Sequence, residues 1–342
     1  MPQLRTDWLT GRTVIIAENR ANRPNEFTPS PLHGEAASTR PSSPQAAAGR
    51  SAQSTTTPQT NCPFCVGNES KTPPSLYESN DPQGRWQVRV VPNMFPAVEL
   101  QPQHGTADPA SGAHEVIIES PRHDVRMSAL SVDELQAVLA AYAQRLAYWH
   151  DDGRFRYGLL FKNQGQPAGA SLAHVHSQFV ALANLPPAIE RELQAARTHF
   201  EHVQGCAYCR LCEQERAAGA RIVLERDGYL AFCPYASLQP LEIWVMPTDH
   251  QPWFERAAQA TSIERLAGVL HSLFKRLDTA VPGASYNMLL RTSPWQAGVE
   301  QCCHWRIELL PRFNPLAGLE LATSVHINPV PPELAARRLQ AL

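Results

Sequence analysis

One pattern, present twice, constrains this chain more than any other feature. The first copy opens on Cys62-Pro-Phe-Cys65 and continues through an apolar run, Glu115-Val-Ile-Ile-Glu119, that ends in Ser120-Pro-Arg-His123. Ser131-Val-Asp-Glu134 then forms a capping-box arrangement, and Leu135, Val138, Leu139, Tyr142 and Leu146 follow at helical spacing. A strand-like Tyr157-Gly-Leu-Leu-Phe-Lys162 leads through a Gly-rich turn to His174-Val-His176. The second copy runs Cys206-Ala-Tyr-Cys209, Leu241-Glu-Ile-Trp-Val-Met246, Pro247-Thr-Asp-His250 and a second capping box, Thr261-Ser-Ile-Glu264. It continues with Leu266, Val269, Leu270, Leu273 and Leu277, then Tyr286-Asn-Met-Leu-Leu-Arg291 and His304-Trp-Arg306. Cap and histidine motif are 43 residues apart in both copies, from 131 to 174 and from 261 to 304. Such self-similarity predicts an α+β chain of two fused units, residues 1–195 and 196–342, each an antiparallel sheet with packed helices.

Composition narrows the partners. With 30 Lys and Arg against 32 Asp and Glu, the net charge is −2, without the basic footprint of a nucleic-acid binder. No apolar run reaches the roughly 18–20 residues that span a bilayer, and Met1 to Thr13 has no export-signal pattern. A soluble cytoplasmic protein is therefore expected, with no nucleic-acid or membrane partner. Thr28 to Asn61, rich in Ser, Thr, Pro, Gln and Ala with one Leu, is expected to be a disordered insert.

Eight cysteines in a cytoplasmic chain point to metal or catalysis before disulfides. Cys-x-x-Cys lets two thiolates meet one ion, and two distant histidines complete a tetrahedron. Cys62, Cys65, His123 and His174 are expected to hold one Zn2+, and Cys206, Cys209, His250 and His304 a second. Cys212 offers an alternative pairing with Cys209, while Cys233, Cys302 and Cys303 read as small buried hydrophobes.

The most informative stretch runs from Asn163 through Gly169, Ser171, His174 and His176 to Gln178. On an extended run, His174, His176 and Gln178 share one face. His174 can bind metal while His176 stays free, and a neutral imidazole can attack phosphorus to give a covalent intermediate. Gln178 can donate to a phosphoryl oxygen whose charge grows in the transition state, and Asn163, Ser171 and the Gly165–Gly169 turn offer further donors. An ordinary strand histidine or an extra metal ligand is the other reading of His176. Arg306 stands where His176 stands in the first copy, so the second unit lacks the nucleophile.

These residues resemble the galactose-1-phosphate uridylyltransferase family, a branch of the histidine-triad superfamily with two triad-like units per chain. The resemblance runs from Leu4 to Leu342, leaving out only the Thr28–Asn61 insert. It extends to Asp7-Trp-Leu-Thr-Gly-Arg12, Arg20-Ala-Asn-Arg23-Pro24 and Val91-Pro-Asn93-Met-Phe95-Pro96. It implies that Arg20 and Arg23 meet nucleotide phosphates, that Asn93 and Phe95 belong to the nucleotide segment, and that Asn163, Gly169 and Ser171 bind substrate. It further implies a ping-pong reaction through a nucleotidyl-histidine at His176, nucleotide-sugar and sugar 1-phosphate partners, structural zinc and a homodimer. Glu320 to Pro329 lacks the Gln expected near a galactosyl group, and Met94 replaces an acidic residue, so sugar and base stay open.

The leading expectation is a UDP-glucose–hexose-1-phosphate uridylyltransferase. Its variant is an ADP- or UDP-sugar phosphorylase that uses inorganic phosphate. A non-catalytic zinc-stabilised nucleotide-binding protein is the alternative of another class, and water as the acceptor would give a hydrolase.

Overall fold

Strand order in the main sheet reads nearly the same from either edge, which places the two sequence copies in mirrored positions. In a computed structural model, residues 1–22, 59–100, 110–123, 125–313 and 315–342 are described; Arg23 and residues 28–58 of the expected insert lie outside them. Ten strands form one antiparallel sheet: β3 (Tyr77–Asn80), β4 (Trp86–Pro92), β5 (Gly112–Ile118), β7 (His176–Leu182) and β6 (Tyr157–Gln164) come first. They are followed by β11 (Tyr286–Arg291), β12 (Arg306–Pro311), β10 (Ile243–Pro247), β9 (Tyr229–Phe232) and β8 (Ile222–Arg226). The halves join through β6 and β11, paired antiparallel from Tyr286 opposite Gln164 to Arg291 opposite Leu159. The expected α+β class is thus observed, with the sheets of the two copies merged edge to edge. A small second sheet joins β1 (Gln3–Thr6), β2 (Thr13–Ile16) and β13 (Val325–Asn328), bringing the chain's ends together.

Two 21-residue helices, α1 (Val132–Asp152) and α5 (Ala260–Ala280), cover one face. Leu135, Val138, Leu139, Tyr142 and Leu146 are buried along α1, and Leu266, Val269, Leu270, Leu273 and Leu277 along α5, as helical spacing requires. Ser131 caps α1 with the expected reciprocal bonds to Glu134, and Gly153 ends it at φ +75°, where a side chain would be strained. The second expected capping box is corrected. Helix α5 starts at Ala260 with Gln259 as its cap, so Thr261 and Glu264 lie inside it; Ser262 Oγ instead bonds the carbonyls of Ala257 and Gln259. Between these helices lies the four-residue α4 (Phe254–Ala257), and α2 (Pro187–Val203) and α3 (Ala207–Ala218) carry Leu193, Tyr208 and Leu211 into a second apolar cluster with Phe232, Trp244 and Met246. The short α6 (Gly318–Thr323) and α7 (Pro332–Gln340) flank β13. No described helix is long and apolar enough to cross a membrane.

Candidate active site and metal clusters

Strand β7 positions the central histidine. Gln178 lies opposite Phe161 on β6, and continuing that register sets Asn163 beside His176 on one sheet face. The expected extended run starts one step late: β7 begins at His176, and His174 precedes it. The His174 side chain is thereby free to turn toward the cysteines.

The proton on His176 follows from its partners. Nδ1 lies 2.8 Å from the His174 carbonyl, which can only accept, so Nδ1 carries the hydrogen and Nε2 keeps its lone pair. Burial, with a contribution from the Lys162 ammonium, lowers the pKa of the imidazole and keeps it neutral. Phe64 packs against the ring, with centroids 5.4 Å apart.

Beneath the strand, on the helix side, lies a buried polar group. Lys162 Nζ donates to the Glu119 carboxylate and, at 2.9 Å, to the His176 carbonyl. Tyr142 and Ser177 also donate to Glu119, so its oxygens are satisfied in an otherwise apolar layer. Lys162 is 1% exposed, and burial lowers its pKa against the pull of Glu119. His176 is thus held through its ring proton on one side and its carbonyl on the other.

The loop between β6 and β7 is shaped by Gly165, at φ +84°, where an added Cβ would sit 2.2 Å from Ser285 Oγ. Gly169 and Ser171 are exposed on this loop. Asn163 Oδ1 accepts from Asn287 Nδ2 at 2.8 Å across the β6–β11 seam, leaving its own amide hydrogens uncommitted to that bond. Asn93 follows β4 on the same face and its Oδ1 accepts from Phe95 N at 2.8 Å, while the Phe95 ring is exposed. Arg20 is exposed on a 3-10 turn, Glu18–Asn22.

Cys62, Cys65, His123 and His174 converge, with one donor atom of each within 4.8 Å of the others and all four side chains buried. Cys65 Sγ lies 3.2 Å from His123 Nδ1 and 3.6 Å from His174 Nδ1, and Cys62 Sγ 3.6 Å from His174 Nδ1. A zinc tetrahedron separates sulfur and nitrogen by about 3.6 Å, so the donors fit the ion. His174 Nε2 donates to the Ser120 carbonyl at 2.7 Å, which fixes the tautomer that leaves Nδ1 for a metal.

The second expected cluster is brought together only in part. Cys206, Cys209 and His250 converge within the same limit, with Cys209 Sγ 3.4 Å from His250 Nδ1 and His250 Nε2 at 2.6 Å from the Glu300 carbonyl. His304, expected as the fourth ligand, is not among these converging donors; its Nδ1 lies 2.9 Å from the Trp305 carbonyl and its Nε2 3.1 Å from the Asp249 carbonyl. Cys212 packs toward Met246 Sδ, so Cys206 is the partner of Cys209, and Cys233, Cys302 and Cys303 are buried as expected.

Sequence reasoning singled out neither the buried Lys162–Glu119 pair nor a histidine beside Gln178. His114 on β5 lies 2.9 Å from Gln178 Oε1 through Nε2. Its signal is a lone histidine in the run Gly112-Ala-His-Glu-Val-Ile-Ile118, which becomes informative only once β5 is known to pair with β7.

Similar proteins share this architecture. The sequence profile described as "Galactose-1-phosphate uridyl transferase, N-terminal domain" matches residues 1–186, just over half of the chain, and one described as "Domain of unknown function (DUF4921)" matches residues 107–342. ADP-glucose phosphorylase of Arabidopsis thaliana is 30% identical over 98% of this chain and 92% of its own length. Galactose-1-phosphate uridylyltransferase of Thermotoga maritima is 26% identical over 82% of this chain and 89% of its own. The crystal structure of an ADP-glucose phosphorylase from Arabidopsis thaliana with bound ADP-glucose superimposes with a TM-score of 0.82 at 28% identity, covering 100% of this chain and 99% of that one. Matching sequence and fold together make this chain a member of the galactose-1-phosphate uridylyltransferase family, within the histidine-triad superfamily.

Proposed function

We propose that the chain transfers a nucleotidyl group from a nucleoside diphosphate sugar through His176, with inorganic phosphate as acceptor in the manner of an ADP-glucose phosphorylase. One observation carries the reading: His176 gives its ring proton to the His174 carbonyl at 2.8 Å and keeps Nε2 as a neutral nucleophile. Similarity along 98% of the chain to an ADP-glucose phosphorylase supports the base and the acceptor.

The chemistry follows from the residues. Nε2 attacks the α-phosphorus, the bond to the sugar 1-phosphate oxygen breaks, and the sugar 1-phosphate leaves. The imidazolium charge formed on His176 is shared through Nδ1–H with the His174 carbonyl. A phosphate oxygen then attacks the same phosphorus, the P–N bond breaks, and a nucleoside diphosphate leaves with His176 neutral again. Gln178 donates to the phosphoryl oxygen that gains charge, and Asn163, Gly169 and Ser171 bind the phosphates with Arg20 and Arg23. Asn93 and Phe95 hold the nucleoside. Zinc at the Cys62 cluster, and a second zinc at the Cys206 cluster, would supply structural ordering. In this reading residues 1–195 are the catalytic unit, residues 196–342 its companion, and the working form a homodimer.

A second reading, uridylyl transfer to a hexose 1-phosphate, draws on the match of residues 1–186 to the uridylyltransferase profile. Incubation with ADP-glucose and UDP-glucose, followed by mass spectrometry of the His176 peptide, tests both. An adenylyl adduct discharged by phosphate supports the phosphorylase; a uridylyl adduct discharged by galactose 1-phosphate supports the second reading. Absence of any adduct on His176 sinks both.

A further inference from the structure

We infer that His114 is a positioning residue that fixes which end of the Gln178 amide faces the substrate; this rests on the phosphoryl-transfer reading of His176. The hydrogen-bond donors decide the orientation. Ala97 N–H donates to His114 Nδ1 at 3.0 Å, so Nδ1 holds a lone pair and the neutral ring carries its proton on Nε2. That N–H faces Gln178 Oε1 at 2.9 Å. The amide must present its oxygen to His114, and its NH2 group is turned to the other side.

Asn93 does not compete with Gln178 for that proton. Its Oδ1 is occupied by Phe95 N–H, so its NH2 is the group 3.1 Å from His114 Nε2. A ring that accepted at both nitrogens would be an anion, so the contact with Asn93 is not a hydrogen bond, and Gln178 takes the ring proton. Partial burial lowers the His114 pKa and favours the neutral ring, while a charged ring would set N–H against Ala97 N–H.

Registration places these groups together. Val116 on β5 pairs with Gln178 on β7, so His114, two residues along, shares the face that bears Gln178 and His176. A Gln178 free to rotate would present its oxygen to the phosphoryl group half the time or more and repel it. His114 removes that alternative before substrate arrives.

The test is a double-mutant cycle with His114→Leu, His114→Gln and Gln178→Ala, read as kcat and KM for adduct formation. His114→Gln restores an N–H at the Nε2 position and should keep kcat within about threefold of wild type. His114→Leu should lower kcat by about 30-fold or more, as loss of an aligned donor does, with KM nearly unchanged. In the Gln178→Ala background the same change should cost less than about twofold. Equal losses for Gln and Leu, or an undiminished loss without Gln178, would overturn the assignment. If His114→Leu does not fold, His114→Phe, which keeps the ring volume, takes its place in the cycle. The wild-type protein run alongside separates the two levels: no adduct on His176 refutes the transfer reading, whereas an adduct with an additive cycle refutes only the role of His114.

Discussion

Arg306 occupies on β12 the place that His176 occupies on β7, and there Glu192 holds its guanidinium at 2.6 Å and Glu308 at 2.8 Å. Both follow a histidine by two residues, and both are buried. One is left with an open nitrogen; the other is enclosed by Glu192, Glu308, Tyr208 and Trp244.

Arg306→Met should therefore destabilise the fold without altering the chemistry of His176. Removing one side of a buried pair costs about 3–5 kcal/mol because the remaining charges lose their partner. Urea unfolding measures the loss, and a midpoint equal to wild type would contradict it. Arg306→His should yield no second adduct, since Glu192 and Glu308 still fill the space.

Acid should act on the same network. Burial raises the pKa of Glu192 and Glu308, but Arg306 and Arg291, joined at Glu308 by Arg12, hold both below the ordinary carboxylate range. A depressed carboxyl contributes stability above its unfolded pKa of about 4.5 and loses it as pH falls toward the folded value. Thermal midpoints should be level from pH 7 to about 5 and fall steeply below about 4.5. A Glu192→Gln variant should show a shallower fall; an unchanged slope would remove Glu192 from the account.

Nucleophile and metal should separate by mutation. His176→Ala should lower nucleotidyl transfer by at least about 10³-fold while zinc content and far-ultraviolet dichroism stay at wild-type values. Substantial residual transfer would show that another group attacks phosphorus.

Cysteine variants should separate the two clusters. Cys62→Ser should remove one equivalent of zinc and lower the melting temperature, because binding at a buried structural site is coupled to folding. Cys209→Ser should remove the other equivalent at a smaller cost, since Cys209 is only part-buried and His250 is exposed. Equal melting temperatures with and without a chelator would contradict a structural role at either place.

Beneath His176, Lys162→Met should leave Glu119 with its hydroxyl donors but no counter-charge and should release the His176 carbonyl. A loss of about 3–5 kcal/mol is expected. A companion Glu119→Leu change that recovers part of it would identify the unpaired charge as the cause.

Sequence made the helices, the first Cys and His cluster and the strand that carries His176 legible because most of their residues follow a spacing along one segment. Leu135 to Leu146 and Leu266 to Leu277 follow helical spacing, and Cys62 with Cys65 and His174 with His176 are near neighbours. What escaped depends on pairing between segments. His114 reaches Gln178 only through the β5–β7 register, and Lys162 meets Glu119 only across strands. His304 has the right spacing, yet its ring lies against the carbonyls of Asp249 and Trp305 and outside the converging donors, a placement that spacing does not encode. Helix α5 starts at Ala260, ahead of the expected cap at Thr261, and Ser262 in its first turn donates to the carbonyls of Ala257 and Gln259.

Six residue pairs along β6 and β11 tie the halves into one sheet. A hinge between the halves would have to break those backbone bonds at once, so opening and closing of the molecule as two jaws is not available to it. Any motion that admits a ligand to His176 is thereby left to peripheral segments, such as the loop at Gly165–Ser171. The frame beneath His176, tied by that seam and by the buried Lys162–Glu119 pair, is set by the sheet and not by the loops around it.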